Sequence, residues 1–392
     1  MTDNLERYEN ESIEDTLYRL GTWKTNGKLN CTWDDIADVL NAEYDENYCE
    51  SRYRKLYYQM SHNTSYTQPL LFNTELDNDL RKNIREIEKK RVQIQREKND
   101  YRKDLRIEAL YDQIIQLFKE KLERIESINI IQPSEKRTDK VLYALLSDIH
   151  YGLDFKTSYS EYNPETAKKR VLDYAWKIVH IGRLEGISEI YVSLLGDLIS
   201  GIIHDQIRIE NSKDIISQII EVSEIVTQFL TILGRNFAKV HVNSVSGNHS
   251  RLNEKDNGLR TERLDDLVFW YCETRFSHCS NIYFKRNDID PSISDFEILG
   301  KKYIAVHGDY DSNNKESARK ISELTGQHVD YFIAGHRHVA DARFETTTYI
   351  TNGAVVSGGD DYTSKKRLFG PAVQVSMVCS EAGVESLHPV RL

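Results

Sequence analysis

The sequence of 392 residues predicts an α/β fold that follows a small all-α domain and a charged helical arm. Apolar, strand-like runs alternate with long helical patterns from residue 138 to residue 392, as in βα units. Two later strand-like runs, around Phe344–Thr351 and Val373–Val378, indicate a second sheet. The chain before residue 130 shows helical patterns only, which separates it from the α/β part.

Residues 1–70 are predicted to form the small helical domain. Its first helix spans Ile13–Leu20 and stops at the following glycine. The second helix, Trp33–Asn41, has Thr32 as its N-cap and Asp35 three residues later, a start that resembles a capping box.

The third helix of this domain runs from about Cys49 to Met60 and places basic residues among tyrosines. Together with the helix before it, this helix resembles a helix-turn-helix whose last helix enters a DNA groove or binds phosphates. A small helical domain that binds another part of the protein or another subunit explains the pattern as well. Both interpretations stay open at this point.

The segment of residues 75–130 has few apolar residues, no glycine, no proline and a dense mixture of charges. Such composition favours a long exposed helix with ion pairs four residues apart. Basic residues outnumber acidic ones between Arg81 and Arg106. The arm therefore either guides nucleic acid through phosphate contacts or serves as a solvated spacer that supports a homo-oligomer. Residues 130–138 are the expected linker.

Helices are also predicted between the strands of the α/β part. Asn163 caps a helix that begins at Pro164, a residue favoured in the first turn. The predicted ranges are Pro164–Leu184, Asn211–Leu233, Gly258–Phe276 and Asn314–Thr325.

Five short polar motifs follow five apolar runs in fixed order, each at a predicted strand end. Placing side chains at the carboxyl ends of successive strands gathers distant residues at one edge of a sheet. A glycine in or beside the motifs permits close backbone approach. The motifs are Asp148-Ile149-His150, Gly196-Asp197, Gly247-Asn248-His249, His307-Gly308-Asp309 and Gly335-His336-Arg337-His338.

These motifs supply carboxylates, an amide oxygen and imidazoles, which is the ligand set for a pair of hard-to-borderline divalent ions. Two such ions held about 3.5–4 Å apart can bind both the attacking and the leaving oxygen of a phosphoryl displacement. A carboxylate between them is needed because two dications so close repel each other strongly.

The motif set resembles that of the calcineurin-like metallophosphoesterase superfamily, from about Lys140 to Leu392. The resemblance implies a four-layer αββα sandwich over residues 138–392, two bound metal ions and hydrolysis of a phosphoester by a metal-bridging hydroxide. Asn352-Gly353 resembles the short segment that closes the family's site on a late strand. By the same resemblance, Asp148, His150 and His338 would hold the first metal, Asp197 would bridge, Asn248, His307 and His336 would hold the second, and His249 would protonate the leaving oxygen.

Departures from the family pattern separate its branches. Protein Ser/Thr phosphatases carry an Asp and an Arg after the Gly-Asp motif and a Glu after the Asn-His motif, and this chain has none of them. The Gly-Asp-Leu segment is closer to the nuclease branch, which often has a second His where this chain has Ser200. His204 could replace that histidine, but the favoured interpretation of His204 is an ordinary surface residue. The short N-terminal region ahead of the α/β part also resembles phage-encoded phosphoesterases.

Arg251 and Arg337 are the candidate substrate-binding residues because both neighbour the presumed site. A guanidinium binds phosphate with two parallel hydrogen bonds. Pairing with local acids is the alternative for each of them. Asp309 is expected to orient an imidazole.

Composition sets outer bounds on function. A net charge of −10 argues against a generic polyanion binder. Five cysteines without paired spacing are typical of a reducing compartment. The acidic, polar N-terminus does not look like a signal peptide, and no apolar run is seen that approaches the ~20 residues needed to span a bilayer. We therefore expect a cytoplasmic protein.

The function expected from these observations is dinuclear-metal-dependent hydrolysis of phosphodiester bonds, with DNA as substrate and partner. Manganese is the expected metal, with Fe, Zn or Mg as alternatives. A small-molecule phosphatase or cyclic-nucleotide phosphodiesterase is the alternative function. A DNA-binding or scaffold protein with an inactive enzyme domain is a third, which the complete set of candidate ligands disfavours.

Overall fold

The computed structural model describes residues 5–62, 74–122, 126–135, 138–203, 208–253, 259–367 and 369–392. The chain forms two compact units, Met1–Lys103 and Asp104–Leu392. His204, considered above as a stand-in for the nuclease histidine, lies outside the described residues.

The described part of the first unit includes the helices α1 (Ile13–Thr25), α2 (Trp33–Tyr44) and α3 (Glu50–His62). Thr32 and Asp35 form a complete capping box at the start of α2, as its sequence indicated. Helix α1 does not stop at Gly21 but continues to Thr25. The glycine serves packing instead of ending the helix, because a Cβ at this position would lie 2.5 Å from Cδ2 of Tyr57. The buried core of the unit is Leu17, Leu20, Leu29, Ile36, Ala37, Leu40, Tyr53, Tyr57 and Met60.

The charged segment forms one continuous helix, α4 (Thr74–Leu122), of 49 residues. Its described side chains between residues 82 and 102 are all exposed, as expected from their polarity. Ile114, near the C-terminal end of α4, is buried in the core of the second unit. The domain limits drawn from the sequence, residues 1–70, 75–130 and 138–392, stay predictions.

The second unit alternates strands and helices. Its strands are β1 (Val141–Leu146), β2 (Phe155–Lys156), β3 (Glu161–Tyr162), β4 (Glu189–Leu194), β5 (Lys239–Ser244), β6 (Ile282–Lys285), β7 (Ile293–Ile298), β8 (Lys301–Val306), β9 (Tyr331–Ala334), β10 (Asp341–Phe344), β11 (Thr348–Thr351), β12 (Val373–Ser380) and β13 (Gly383–Arg391). Its helices are α5 (Pro164–Leu184), α6 (Ile215–Asn236), α7 (Asp265–Arg275), α8 (Lys315–Thr325) and α9 (Asp361–Lys366).

Two large sheets organise this unit. The six-stranded sheet has the order β13-β12-β1-β4-β5-β6, with β1, β4, β5 and β6 parallel and β12 antiparallel to β1. The five-stranded sheet has the order β10-β11-β9-β8-β7, with β11, β9 and β8 parallel. Strands β2 and β3 pair in a separate hairpin.

Strand β1 shows how the layers are built. Its alternate residues Leu142, Ala144 and Leu146 join a core that also contains residues of α5, α6 and α7. Its other face packs between the two sheets, with residues of β7, β8, β9, β11 and β12. On the far side of the five-stranded sheet, Ala318 and Ile321 of α8 pack against the strands. The result is a four-layer αββα sandwich, so the fold-class prediction is confirmed.

Helix α6 (Ile215–Asn236) differs from its predicted range, Asn211–Leu233, at both ends. It begins at Ile215 instead of Asn211, because the Asp214 side chain accepts hydrogen bonds from the backbone N–H groups of Ile216 and Ser217. By length and hydropathy α6 could also span a membrane, whereas the sequence was expected to contain no apolar run of that length. In the structure α6 is a core helix, since its apolar face lies among the strands and helices of the second unit.

Candidate metal centre

All five motifs lie at the carboxyl ends of strands, as the sequence indicated. β1, β4 and β5 of one sheet and β8 and β9 of the other lead into them. The parallel registers of β1 with β4, β4 with β5 and β8 with β9 bring these ends to the same edge of their sheets. The motif loops are joined by backbone hydrogen bonds, from Asp148 N to Gly196 O at 3.0 Å and from Gly335 N to His307 O at 2.9 Å.

The backbone at this edge is unusual. Left-handed φ values are rare for residues with a side chain and are maintained only where the surroundings enforce them. Nine described non-glycine residues have positive φ, and five of them are predicted metal ligands. These five are Asp148, His150, Asp197, His336 and His338.

Gly247 illustrates how closely the loops approach. A Cβ at this position would lie 2.0 Å from Oδ1 of Asp197 and 2.2 Å from its backbone N. Gly196, with φ of 82°, lies against the backbone of Gly247 from the other side. A side chain at position 247 would displace the Asp197 carboxylate, which explains the glycine in the motif.

The first group of potential ligands consists of Asp148, His150 and His338. His338 Nε2 lies 3.2 Å from Asp148 Oδ1 and 3.1 Å from His150 Nε2. Asp148 Oδ1 is buried without a hydrogen-bond partner. A buried carboxylate oxygen in that state is costly unless it has a cationic partner. The facing nitrogens and the orphaned oxygen fit a metal ion bound between these three side chains.

The second group consists of Asp197, His307 and His336. His307 Nε2 lies 3.2 Å from Asp197 Oδ2 and 3.1 Å from Asn248 Oδ1. The amide oxygen of Asn248 therefore joins the group on the side of His307. The donor set of one carboxylate, two imidazoles and an amide oxygen suits a borderline divalent ion.

Hydrogen bonds to the backbone fix two of the imidazoles. His307 Nδ1 lies 2.7 Å from the carbonyl oxygen of Leu195, which can only accept, so Nδ1 carries the proton and Nε2 faces the carboxylate. His249 Nδ1 lies 2.8 Å from the carbonyl oxygen of Ser200. In both rings this contact selects the tautomer that directs Nε2 away from the anchoring carbonyl.

The two aspartates create a strong demand for positive charge. Burial would raise the pKa of Asp197, but the charges of His307 and His249 and the hydrogen bond with His307 hold that pKa well below its usual range. For His307, burial lowers the pKa, yet Asp197 outweighs it and raises the pKa to about 10, so without a metal ion this ring is protonated and supplies the positive charge that a bound ion would supply instead. Burial and then His249 lower the pKa of His150 well below its usual range, which favours the neutral, ligating form.

Comparison with known proteins gives two kinds of match. Residues 1–70 match the family model of the YonJ N-terminal domain. The chain is 23% identical over 387 residues to the SPbeta prophage-derived uncharacterized protein YonJ of Bacillus subtilis (strain 168), covering 91% of this chain and 90% of that protein.

Solved structures with partial similarity include three that cover 64% of this chain. One is a predicted phosphoesterase of Streptococcus pneumoniae TIGR4, at 11% identity, 98% of its own length and a TM-score of 0.28. Another is Vps29 of Entamoeba histolytica complexed with Zn²⁺, at 12% identity over 98% of its own length and with a TM-score of 0.29. The third is a putative 5'-nucleotidase of Staphylococcus aureus, at 14% identity over 54% of its own length and with a TM-score of 0.32.

Similarities of this size carry no argument about the fold. In the structure itself, the five motifs lie at the strand ends of a four-layer αββα sandwich. This arrangement of the second unit resembles the calcineurin-like metallophosphoesterase fold. Within that fold, the structure brings together all seven predicted ligands at one edge of the two sheets. Their individual ligand roles stay predictions.

His249 lies inside the candidate metal centre. Its ring forms a perpendicular contact with His150, with 4.4 Å between ring centroids. A ligand atom of His249 also falls within 4.8 Å of ligand atoms of His150 and Asp197. Its backbone N–H donates to Asp197 Oδ1 at 2.8 Å, which fixes the position of the predicted bridging carboxylate.

Asp265, the first residue of α7, is a site residue that sequence reasoning missed. Its buried carboxylate accepts backbone N–H groups from two motif loops: Asp197 N at 3.0 Å and Gly247 N at 2.9 Å on Oδ2, and Leu198 N at 3.3 Å on Oδ1. Burial, and then the charge of Asp197, raise the pKa of Asp265 to about 7. One side chain thus joins the loops that follow β4 and β5. Two adjacent acids at a helix start are common, so the sequence offered no distinct signal.

The candidate substrate-binding arginines differ in environment. Arg251 is buried and pairs with Asp309, which is the local pairing considered as its alternative. Asp309 thus contacts a guanidinium in addition to lying two residues after His307. Arg337 is exposed beside His336 and His338. Substrate binding stays a prediction for both arginines.

Asn352 connects the end of β1 to β12 behind the centre. Its amide donates to the Ser147 hydroxyl and to the Gln374 side chain, both at 2.8 Å, and its oxygen accepts from Val375 N at 2.8 Å. Ser147 directly precedes Asp148. The Asn352-Gly353 segment therefore supports the loop of the first ligand group.

Proposed function

We propose that this chain is a dinuclear-metal-dependent phosphodiesterase that acts on DNA. The observation that carries the proposal is the position of Asp197. Its carboxylate belongs to the group with His307 and His336, and Oδ2 also lies 3.9 Å from Nε2 of His150 in the other group. One carboxylate placed between two ligand groups suits a pair of divalent ions.

The chain's residues divide into two ligand sets that share Asp197. Asp148, His150 and His338 would hold one ion, while His307, His336 and Asn248 would hold the other. When bound, such ions supply an activated water of lowered pKa and neutralise charge on the phosphoryl oxygens. Manganese is the proposed metal at both positions.

His249 is the proposed general acid. Its Nδ1 donates to Ser200 O, so Nε2 is the atom that would deliver a proton to the leaving oxygen. The 3₁₀ turn Asn248–Ser250 and the bond from His249 N to Asp197 hold the ring in place. Because both the backbone N–H and Nδ1 of His249 are hydrogen-bonded, the ring can be aligned with the scissile bond without reorganisation.

The environment after Asp197 favours a diester over a protein phosphomonoester. Leu198 and Ile199, which follow the Gly-Asp motif, have apolar side chains that are fully buried, so no side-chain polar group of these two residues can bind a terminal phosphate. In the motif of the protein Ser/Thr phosphatases, charged residues follow the Gly-Asp pair. DNA is the proposed polymer because α4 presents an exposed helix rich in lysine and arginine. The helical arm is also the proposed means of homo-oligomer formation.

The experiment that tests the proposal is cleavage of end-labelled single- and double-stranded DNA with Mn²⁺, with wild type and Asp197→Asn assayed side by side. We expect cleavage by the wild type only, and the product ladder distinguishes exonuclease from endonuclease action. Hydrolysis of a small phosphoester without any cleavage of DNA would contradict the nuclease proposal. It would favour a small-molecule phosphatase or cyclic-nucleotide phosphodiesterase.

Replacing His249 with alanine is expected to leave bound metal in place and to slow cleavage by about 10²- to 10⁴-fold, the usual range for a general acid. The loss should be largest for substrates with poor leaving groups, since these depend most on protonation. Metal content by mass spectrometry and rates for diesters of differing leaving-group pKa provide the measurement. A metal-free His249→Ala protein would show that His249 is a ligand instead.

A further inference from the structure

A strip of chain between β11 and β12 forms one rim of the metal centre. This rim segment comprises residues 353–370, of which residue 368 lies outside the described part. Near its start, Val355 N and Val356 N donate to the carbonyl oxygen of Asp148 at 3.1 and 3.2 Å. At its end, a Cβ on Gly370 would lie 3.9 Å from the carbonyl oxygen of His338. The rim segment therefore leaves from one predicted ligand and returns to another.

Two large aromatic rings stand exposed on this rim. Phe369 is 54% exposed and Tyr159, from the β2–β3 turn, is 55% exposed. Their rings meet edge to face, with 5.1 Å between centroids and an interplanar angle of 84°. The Tyr159 hydroxyl bonds to the Ser364 hydroxyl at 2.7 Å, which ties the turn to the rim segment. A fixed aromatic pair that keeps half of its surface in water offers ring surface for a ligand.

Three consecutive basic side chains accompany the rings. Lys365, Lys366 and Arg367 end helix α9, and all three are exposed. Lys365 pairs with Asp361. Within the described part of the chain, no carboxylate lies within ion-pair distance of Lys366, Arg367 or the nearby Arg337. Asp360 and Asp361 at the start of the same helix carry negative charge, and among the described residues Lys366 and Arg367 are the cations of this segment without an acidic partner.

We propose that the rim segment binds single-stranded nucleic acid, with a base stacked on the Tyr159–Phe369 pair and phosphates bound by Lys365, Lys366 and Arg367. Single strands are recognised by aromatic rings beside a basic track, because every base has a ring face and every phosphate a charge. Phe369 directly precedes Gly370, which lies beside the carbonyl oxygen of His338, so a strand bound here continues into the metal centre. The inference rests on the proposed function and names its substrate: a strand with unpaired bases.

The test combines two patch variants with matched controls in the full chain. Phe369→Ala removes one ring, and Phe344→Ala removes a comparably exposed ring on β10, at 68% exposure. Lys365→Ala/Lys366→Ala removes two adjacent cations. Arg319→Ala/Lys320→Ala is its control, because these α8 residues are also adjacent and exposed, and each pairs with a glutamate four residues away, as Lys365 does with Asp361.

Binding is measured first, by fluorescence anisotropy of a labelled 15-mer oligothymidine in EDTA, at several salt concentrations. We expect Phe369→Ala to weaken binding by about tenfold, the effect of losing one stacked base. The double lysine variant should lower the slope of log affinity against log salt by about 1.4. The two controls should stay within about twofold of the wild type.

Cleavage with Mn²⁺ separates failure of the inference from failure of the proposed function. The ratio of kcat/KM for the oligonucleotide to kcat/KM for bis(p-nitrophenyl) phosphate should fall about tenfold in the patch variants. An unchanged ratio with unchanged oligothymidine binding would overturn the inference while the enzyme stayed a phosphodiesterase. Loss of binding to anionic phospholipid vesicles without loss of DNA binding would also overturn it, in favour of a membrane surface. If the wild type cleaves no diester, the proposed function fails and the anisotropy data alone decide the inference.

Discussion

Replacing Asp197 with asparagine is expected to empty the metal centre and to lower turnover by about 10³-fold or more. The side chain keeps its size but loses the charge that faces His307 and His150. Two divalent ions about 4 Å apart repel each other unless an anion lies between them. The loss corresponds to about 4 kcal/mol of transition-state stabilisation. Metal content per chain and kcat with a small phosphodiester are the two measurements, and His336→Ala should behave in the same way.

Asp214→Asn is the matched control for this change. Asp214 is an exposed cap of α6, and asparagine caps helices as well as aspartate does. Its metal content and turnover should equal those of the wild type. Full metal content in Asp197→Asn, with normal turnover, would remove Asp197 from the centre and with it the central argument for two ions.

The sandwich was predictable wherever one sequence signal was strong and local. Strands β1 and β9 occupy the apolar runs Val141–Leu146 and Tyr331–Ala334 directly before their motifs, and helix α5 begins and ends as expected because Asn163 caps it and proline follows. Buried parallel strands appear in sequence as short apolar runs between turn residues, which makes them easy to recognise.

Elements decided by tertiary contacts were harder to predict. Helix α1 continues through Gly21 because the Tyr57 ring occupies the space beside it. Edge strands β7 and β13 were missed, since polar residues such as Asp295 and Glu297 of β7 interrupt their apolar residues. The length of α6 depended on a cap, Asp214, that competes with several nearby polar residues.

The same division applies to the centre. The predicted ligands follow strands, so their motifs carried both chemistry and position. Asp265 has neither signal, because its role depends on a helix start being brought to two loops that are distant in sequence. The exposed pair of Tyr159 and Phe369 is likewise formed by segments more than two hundred residues apart, between which no periodicity exists.

Replacing Asp265 with alanine is expected to destabilise the protein by about 3 kcal/mol or more and to weaken binding of one metal ion. Three buried N–H groups would lose their acceptor, at about 1–3 kcal/mol each. Two of these groups belong to Asp197 and Gly247, next to Asn248. The ligand set with Asn248 and His307 should therefore lose affinity, while Asp148, His150 and His338 keep theirs. Urea unfolding and the number of Mn²⁺ ions bound per chain measure the two effects.

Asp265→Asn separates positioning from simple stability. Its amide oxygen can still accept from Asp197 N and Gly247 N, while its NH₂ group would face the N–H of Leu198. We expect it to fold, to bind both ions more tightly than the alanine variant and to recover turnover at raised Mn²⁺ concentration. Asp266→Ala is the control, because the Asp266 carboxylate bonds to the Ser246 hydroxyl instead of to a motif-loop N–H. Both Asp265→Asn and Asp265→Ala could be as stable as the wild type and bind two ions with unchanged affinity. That result would show that the carboxylate has no part in holding the loops. A loss of stability equal in Asp265→Ala and Asp266→Ala, with metal affinity unchanged in both, would reduce Asp265 to an ordinary buried helix-start residue.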